Sequence, residues 1–248
     1  MPQGNAAPPA EVRDMFDRIS PVYDLMNLLI SGFQEQRWRR RAVRETRLRR
    51  GMAAVDVACG TGKVTRAIAK HVGPAGYVIG VDFSPGMIDR AQATRADGLN
   101  VSFVVGDALA LPFDDATVDA ATIAFGMRNL TDYGRGFREM TRVVRPGGRV
   151  VCLEIARPRS RLGRAIQQWF DRIVPLIGRL VGQGEAYAYL IRSTRGYPDP
   201  ERIAAIMRES GLEDVRWVPL SGGIVTLHAG TRPRTSPASP AGGEAAVS

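Results

Sequence analysis

The segment from Asp56 to Gly62 carries residue types that suit ligand binding. It follows an alternating apolar pattern over residues 53–57 and precedes a helical pattern that begins near residue 63. Gly60 and Gly62 let the backbone come close to a ligand because they have no Cβ. A strand, a glycine turn and a helix, in this order, place the turn at the carboxyl edge of a sheet, where open α/β folds bind ligands. These glycines, with Asp56 before them, are predicted to bind a ligand.

Acidic residues follow the next two apolar runs. Asp82 comes directly after the run 77–81, about twenty residues past the glycines, where an acid usually pairs with the two hydroxyls of an adenosine ribose. Asp107 follows the run 101–105, and its carboxylate can accept a hydrogen bond from the amino group of adenine while the backbone of Asp107 and Ala108 brackets the ring. The alternative interpretation of Asp107 is an acidic turn residue that caps the next segment.

A turn with two hydrogen-bonding side chains follows the fourth apolar run. Its sequence is Gly126-Met127-Arg128-Asn129. Because this run is predicted to end at the same sheet edge, Arg128 and Asn129 would stand above the ligand crevice. The alternative interpretation is a solvated loop in which Arg128 only holds the turn, for example by pairing with a carboxylate such as Asp132.

The ligand that fits these residues best is S-adenosylmethionine. A phosphate-binding P-loop needs Ser or Thr after Gly62-Lys63, where Val64 stands, and a dinucleotide site has a third glycine where Thr65 stands. Asp56 suits a ligand with an ammonium group, and S-adenosylmethionine carries an ammonium, a ribose diol and an adenine but no phosphate. A NAD-dependent oxidoreductase is the alternative from a different class, and Thr65 disfavours it.

The charge balance is basic, with 34 Lys and Arg against 25 Asp and Glu and a formal net charge of +9. Lys63 and Lys70 are the only lysines, which indicates a coding bias towards arginine more than a surface selected for nucleic acid. The densest cluster, Arg37 to Arg50, has Trp38 as its only aromatic residue, and no RNA-recognition or helix-turn-helix motif accompanies it. We therefore expect no nucleic-acid partner and favour contact of this basic face with anionic lipid. RNA binding is kept as an alternative from a third class.

The features that report on the compartment favour the cytoplasm. Cys59 and Cys152 are the only cysteines, too few for a disulfide framework. No apolar stretch approaches about twenty residues, and the first residues, MPQGNAAPPA, lack the basic and apolar regions of a signal peptide. We expect a cytoplasmic protein, peripheral at the inner face of the membrane, without a metal site.

Strand and helix patterns alternate through most of the chain, which predicts an α/β fold with a doubly wound, mostly parallel sheet. Seven strands are predicted at 53–58, 77–81, 101–105, 118–124, 148–154, 214–219 and 223–229, with helices near 63–71, 85–96, 132–144 and 199–210. The turn Ser221-Gly222-Gly223 makes the last two strands an antiparallel hairpin, and Arg145 to Gly148 is predicted to be a turn before strand five.

The expected domain organisation is simple. One domain covers residues 11–233, with a helical cap before the sheet, including an arginine helix over 34–48, and inserted helices near 160–193. The Pro/Ala-rich residues 1–10 and the low-complexity tail 234–248 are predicted to be disordered.

Short motifs that recur together in one family of enzymes are spread from residue 11 to residue 233. The most specific are the start Phe16 to Asp24 with Asn27, and the turn Phe125 to Asn129. The others, in chain order, are Trp38-Arg39, Asp56 to Gly62, Asp82-Phe83-Ser84, Gly106-Asp107-Ala108, Leu111-Pro112-Phe113, Arg138-Glu139-Met140, Arg145 to Gly148, Leu153-Glu154, Tyr187 to Leu190 with Ser193, and Gly222 to Val225. Together they resemble the quinone C-methyltransferases, whose members methylate demethylmenaquinol in menaquinone synthesis or 2-methoxy-6-polyprenyl-1,4-benzoquinol in ubiquinone synthesis.

The resemblance implies a class I S-adenosylmethionine-dependent methyltransferase fold and assigns roles to individual residues. It implies that the cofactor is contacted by Thr61, Asp82, Asp107 and Ala108. It also implies that Arg128 faces the quinol, with Asn129 and Tyr23 nearby.

Three positions depart from the family pattern. Lys63 stands where an aspartate is usual, which changes the charge around the glycine loop. Ala124 replaces a serine that contacts the cofactor in some members, and Tyr197 stands where another aromatic residue or histidine is more usual.

The activity that we predict is methylation of a ring carbon of demethylmenaquinol, with the benzoquinol of ubiquinone synthesis as the alternative. A quinol becomes nucleophilic at carbon when a phenolic proton leaves, and with a phenolic pKa near 10 ionisation at neutral pH costs about 4 kcal/mol. Arg128 is the candidate to offset this cost electrostatically, because a guanidinium stays protonated and is a poor base.

The inserted segment is predicted to admit the polyprenyl tail of the substrate. Apolar residues recur there at helical spacing, with arginines between them: Leu162, Ile166, Trp169, Ile173, Ile177 and Leu180. We expect an apolar mouth at the membrane surface, with an ordinary lid helix as the alternative. Assembly into a homodimer is left open.

Overall fold

The architecture is known from a computed structural model, which shows a single seven-stranded sheet with helices packed on both faces. The structure describes residues 4, 8–20, 34–94, 98–158, 161, 163–165, 167, 168, 172 and 184–234. The strands are β1 Ala53–Val57, β2 Tyr77–Asp82, β3 Val101–Val105, β4 Val118–Ala124, β5 Val144–Ile155, β6 Glu213–Leu220 and β7 Val225–Thr231. The helices named here are α1 Pro9–Ile19, α2 Glu35–Glu45, α3 Lys63–Val72, α4 Pro85–Ala93, α5 Tyr133–Val143, α6 Gly184–Gly196 and α7 Pro200–Glu209.

The strand order is β3-β2-β1-β4-β5-β7-β6, which confirms the doubly wound sheet. The first five strands are parallel, and β7 runs antiparallel to both β5 and β6. Strands β2 and β3 lie in sequence on one side of β1, and β4 lies on the other side of β1. The order of strands therefore reverses between β1 and β4, and in such sheets the crevice beyond this point binds ligands.

Two layers of apolar side chains hold the helices on the sheet. Successive residues of a strand point to opposite faces, and in β1 Val55 and Val57 join one cluster while Ala54 joins another. The first cluster includes Phe137 and Met140 of α5, both fully buried. The second is covered by α3 and α2. The strand β1, buried on both faces, is therefore a rigid base for the loop that follows it.

The segment from Arg145 to Gly148 differs from its prediction. It was predicted to be a turn before strand five, but β5 begins at Val144 and includes these four residues. Val144 pairs with Val118 and Arg149 pairs with Ala120, so the four residues form a bulge opposite a single position of β4. Gly147 adopts φ +82° in this bulge, a conformation that favours glycine.

The inserted segment is described only in part. The predicted apolar positions 162, 166, 169, 173, 177 and 180 lie outside the described residues. Helix α6 is described from Gly184 and packs against the 3-10 turn Met127–Asn129 that follows β4. In the described part of the chain no helix is long and apolar enough to cross a membrane.

Candidate functional site

The glycine loop lies where the sequence predicts it, between β1 and α3. Gly60 adopts φ +55° and Gly62 adopts φ +76°, a left-handed conformation in which a side chain is strained. A Cβ on Gly62 would also stand 2.5 Å from the Phe103 ring of β3, so this position has no room for a side chain. Ala58, just before the loop, has φ +51°, which is unusual for a residue with a side chain. Such conformations tend to occur at functional sites.

Asp82 ties the end of β2 to this loop. Its Oδ2 atom accepts a hydrogen bond from the backbone N–H of Gly60 at 2.7 Å, and Oδ1 accepts from the N–H of Ser84 at 3.0 Å. Burial raises the pKa of Asp82 from 3.8 to about 6, although the two backbone donors act in the opposite direction. Each carboxylate oxygen has a second lone pair, so Asp82 retains the capacity to accept both hydroxyls of a ribose.

Asp56 is the second buried carboxylate at this edge and is 1% exposed. Thr65 of α3 donates its hydroxyl to Oδ2, and Thr122 of β4 donates to Oδ1, both at 2.7 Å. Burial raises the pKa of Asp56 to about 6, even though the hydrogen bonds from the two hydroxyls and the charge of Arg39 act to lower it. Asp56 therefore joins the glycine loop, its helix and the neighbouring strand.

A small pocket, partly open to solvent, lies beside the glycine loop. It is lined by Arg39, Asp56, Ala58, Cys59, Gly60, Thr61, Val64 and Ala124. Three of the predicted site residues, Asp56, Gly60 and Thr61, thus share one cavity. Ala124, the position at which the family resemblance implies a serine in some members, also lines the pocket and supplies no hydroxyl.

A charged cluster contributed by α2 borders this pocket. Glu35 is 4% exposed and forms an ion pair with Arg39, and its Oε2 atom lies 4.0 Å from Nζ of Lys63. Glu35 therefore places a negative charge beside Lys63, the position at which the family resemblance had led us to expect an aspartate.

Arg128 lies in the turn after β4 and is 6% exposed. Its Nη1 atom donates to Oε1 of Glu154 at 2.7 Å and to the carbonyl of Phe125 at 2.5 Å, and its backbone N–H donates to Oε2 of Glu154 at 3.1 Å. The sequence had suggested Asp132 as the carboxylate that would pair with Arg128 if the turn were structural. That choice was wrong, because Asp132 instead caps α5 by accepting from the N–H of Arg135 at 2.8 Å.

The turn that carries Arg128 packs directly on the glycine loop. A Cβ on Gly126 would stand 2.4 Å from the Cβ of Ala58, which lines the pocket. Asn129, the next polar residue of the turn, accepts a hydrogen bond at Oδ1 from the hydroxyl of Tyr189 in α6 at 2.9 Å. The turn therefore joins the glycine loop and α6.

Asp107 and Ala108 lie at the end of β3, on the other side of Asp82. The N–H of Gly106 donates to the carbonyl of Asp82 at 2.9 Å, which brings the two strand ends together. Asp107 is exposed, and its Oδ1 atom accepts from the N–H of Leu109 at 2.8 Å, while Ala108 is buried. Asp107 thus caps a turn through one carboxylate oxygen, and its side chain remains exposed to solvent. Tyr23 lies outside the described residues.

Sequence reasoning missed several residues that hold the site together. Glu154, Thr65 and Thr122 were not predicted as partners of the site residues, and Asp17 was not predicted to fix the loop after β2. Asp17 accepts from the hydroxyl of Ser84 at 2.5 Å and from the N–H of Gly86 at 3.0 Å. One signal was present for Glu154, because a charged residue at the end of an apolar strand is seldom buried without a partner.

Comparison with known proteins gives a consistent result over nearly the whole chain. A model of the ubiE/COQ5 methyltransferase family matches residues 5–232. A demethylmenaquinone methyltransferase of Staphylococcus aureus (strain JH9) is 39% identical over 228 residues, which are 91% of this chain and 95% of the relative. The same protein name and identity are found in Staphylococcus aureus (strain Newman).

Solved structures share the fold at low sequence identity. The [4+2]-cyclase SpnF superposes with a TM-score of 0.69 at 19% identity, covering 94% of this chain and 99% of the cyclase. A SAM-dependent methyltransferase from Aquifex aeolicus has a TM-score of 0.58 at 20% identity, covering 78% of this chain and 88% of the other. Because a protein named as a cyclase shares this fold, these likenesses describe the architecture alone.

Proposed function

The chain belongs to the ubiE/COQ5 methyltransferase family, and we propose that it transfers a methyl group from S-adenosylmethionine to a ring carbon of demethylmenaquinol, forming menaquinol. The observation that carries this proposal is the near full-length match to demethylmenaquinone methyltransferases. The naphthoquinol is preferred to the benzoquinol of ubiquinone synthesis because these relatives are named for the naphthoquinone substrate.

The residues beside the glycine loop fit the cofactor. A ligand with an ammonium, a diol and no phosphate needs carboxylates and a closely approaching backbone, and Asp56, Asp82 and the loop supply these. We assign Asp82 to the ribose hydroxyls, and Asp107 with the backbone of Ala108 to the adenine. Asp56, Gly60, Gly62 and Thr61 are assigned to the methionine end. S-adenosylmethionine supplies an activated methyl group on a sulfonium.

The residues proposed to act on the quinol are Arg128, Asn129 and Tyr23. Glu154 holds the guanidinium of Arg128 at the sheet edge, and the turn that carries Arg128 packs on Ala58. There Arg128 can stabilise the negative charge that develops on a quinol oxygen when its proton leaves. Glu154 neutralises part of the charge of Arg128, so the stabilisation depends on the orientation of the guanidinium. Asn129, fixed by Tyr189, is placed to orient the same oxygen.

A polyprenyl quinol is dissolved in the membrane, so the enzyme must reach the bilayer surface. Helix α2 exposes a set of basic side chains that suits anionic lipid: Arg37, Arg40, Arg41 and Arg44. We propose that this face makes a peripheral, salt-sensitive contact with the membrane. A cytoplasmic location at the inner face of the membrane follows from this proposal.

The test is quinone profiling of a strain in which the gene is deleted. We expect demethylmenaquinone to accumulate and menaquinone to disappear, with both reversed by the intact gene. An unchanged quinone pool would overturn the proposal, and accumulation of a methoxybenzoquinol precursor would move the activity to ubiquinone synthesis. Titration of the purified protein with S-adenosylmethionine and with NADH separates the methyltransferase from an oxidoreductase, because only the true cofactor should bind.

A further inference from the structure

Arg39 lines the pocket but has no role in the assignments above. Its side chain reaches the cavity from α2, next to Asp56 and Thr61, and is 13% exposed. Among the described residues, its Nε atom is buried and has no hydrogen-bond acceptor. A buried donor without an acceptor is unfavourable, and a guanidinium has five N–H donors. Arg39 therefore has donor capacity at the wall of the cofactor pocket.

Glu35 fixes the position of this guanidinium. The carboxylate is almost fully buried and pairs with Arg39 one helical turn away on α2. An arginine restrained in this way loses little side-chain freedom when a second anion binds, because its planar group is already oriented. The Glu35–Arg39 pair is therefore suited to present the remaining donors to a ligand.

The pocket also holds a negative charge close to Arg39. Asp56 lines the same cavity, and the charge of Arg39 is one of the influences on its carboxylate. A cavity with one cation and one anion in its wall complements a ligand group that carries both charges. The amino-acid end of S-adenosylmethionine is such a group, with an ammonium and a carboxylate on one carbon.

We propose that Arg39 binds the α-carboxylate of S-adenosylmethionine, and that Arg39 and Asp56 together form a site for the zwitterionic end of the cofactor. This inference rests on the proposed function, which supplies the cofactor. It adds a residue from the N-terminal helical cap to the cofactor site, so that α2 is part of the binding machinery as well as a cover for the sheet.

The test compares two ligands in each variant by calorimetry. S-adenosylmethionine carries the carboxylate, and decarboxylated S-adenosylmethionine lacks it but keeps the ammonium, the sulfonium and the nucleoside. The wild-type protein should bind the first about 30-fold more tightly, the scale of a hydrogen bond between charged groups. In Arg39→Gln this preference should disappear, so that the two ligands bind with about equal affinity, because only the carboxylate-bearing ligand loses a contact. The ratio of affinities within one protein is unaffected by its folded fraction.

Matched variants locate the effect. Arg40→Gln removes an exposed arginine from the same helix and should keep the wild-type preference. Asp56→Asn should weaken both ligands alike, since both carry the ammonium, and should also keep the preference. The double variant Glu35→Gln/Arg39→Gln avoids leaving Glu35 buried without its partner and should lose the preference in the same way as Arg39→Gln.

Two results would overturn the inference. One is an unchanged preference in Arg39→Gln, and the other is a preference that disappears in Lys63→Gln but not in Arg39→Gln, which would give the carboxylate to Lys63. Failure of the proposed function looks different. If the wild-type protein shows the expected ligand preference but does not methylate demethylmenaquinol, the carboxylate site stands and the assignment of the substrate is wrong.

Discussion

Arg128 and Glu154 form a buried ion pair that joins the turn after β4 to the end of β5, with Nη1 and Oε1 2.7 Å apart. Glu154 is fully buried, and its carboxylate also accepts from the backbone N–H groups of Arg128 and Ile155. Removing one member of a buried ion pair is costly, because it leaves the other charge buried without a partner. Glu154 is therefore a positioning residue, and the orientation of Arg128 depends on it.

The first prediction concerns this pair. Glu154→Gln keeps the size of the side chain but removes the charge that orients Arg128. We expect kcat for quinol methylation to fall about tenfold or more, while the dissociation constant of S-adenosylmethionine stays near the wild-type value, because Glu154 does not line the cofactor pocket. The melting temperature should also fall, since breaking a buried pair costs about 3–5 kcal/mol.

The control for Glu154→Gln is Glu139→Gln. Glu139 pairs with Arg142 at 2.8 Å on α5 and is 18% exposed, so this variant also breaks a glutamate–arginine pair, but one that includes no residue of the turn. It should lower stability without changing kcat at a temperature where the protein is folded. Equal kcat values in the two variants would show that Glu154 acts only through stability.

The second prediction concerns Asp82. Its carboxylate should accept both ribose hydroxyls, so Asp82→Ala should weaken S-adenosylmethionine binding by about 2–4 kcal/mol, the scale of two hydrogen bonds to a charged group. Calorimetry measures this loss directly. Asp89→Ala, which removes an exposed carboxylate from α4, should bind the cofactor like the wild type. A folded Asp82→Ala protein with wild-type affinity would place the ribose elsewhere.

Much of the sheet and of the glycine loop could be predicted from sequence because their signals are local. Apolar runs give β1 and β4, with alternation in β1, and Gly62 is required by a local backbone conformation. The placement of Asp56 and Asp82 at one edge then follows from the parallel topology, since the ends of parallel strands lie together.

The partners of the site residues could not be predicted in this way. Glu35 pairs with Arg39 on one helix, but its contact with Lys63 depends on how α2 packs against α3. The pair of Arg128 and Glu154 joins residues 26 positions apart in the chain. Such contacts depend on strand register and helix packing, which periodicity does not encode. Asp132, the nearer carboxylate in sequence, was for that reason the wrong choice.

The third prediction is a dependence of cofactor binding on pH. Burial raises the pKa of Asp56 and of Asp82 to about 6, so both carboxyls gain protons in the free protein as the pH falls through 6. A protonated carboxyl loses the charge that binds an ammonium and becomes a donor where the diol needs an acceptor. Binding should therefore weaken below pH 6, by about tenfold per pH unit for each carboxyl that must ionise.

The measurement for this pH dependence is calorimetry from pH 5 to pH 8 in two buffers with different heats of ionisation. Near pH 6 the wild-type protein should release protons when S-adenosylmethionine binds, and Asp82→Asn should release fewer. The free protein should respond in the opposite sense: both pKa values lie above the ordinary 3.8, so the contribution of these groups to folding stability is greatest below about pH 4 and is lost as the pH rises through 6. Affinity that is constant over this range would contradict the assignment of both carboxyls to the cofactor.

The last prediction concerns Arg128. If its guanidinium stabilises the phenolate that develops on the quinol, its contribution belongs to the transition state, so Arg128→Ala should lower the rate of single-turnover methyl transfer about a hundredfold, with cofactor affinity nearly unchanged. Arg128→Lys keeps the charge but loses the planar fork that contacts Glu154 and Phe125, and should recover only part of that rate. Arg90→Ala, at an exposed position on α4, is the matched control and should react like the wild type. Arg128→Ala leaves Glu154 buried without its partner, so the melting temperature should fall in either case, and rates and affinities are compared at a temperature where a thermal melt shows each variant folded. Under those conditions a merely structural Arg128 would lower the cofactor affinity together with the rate. A folded Arg128→Ala protein with the wild-type rate would remove Arg128 from the mechanism.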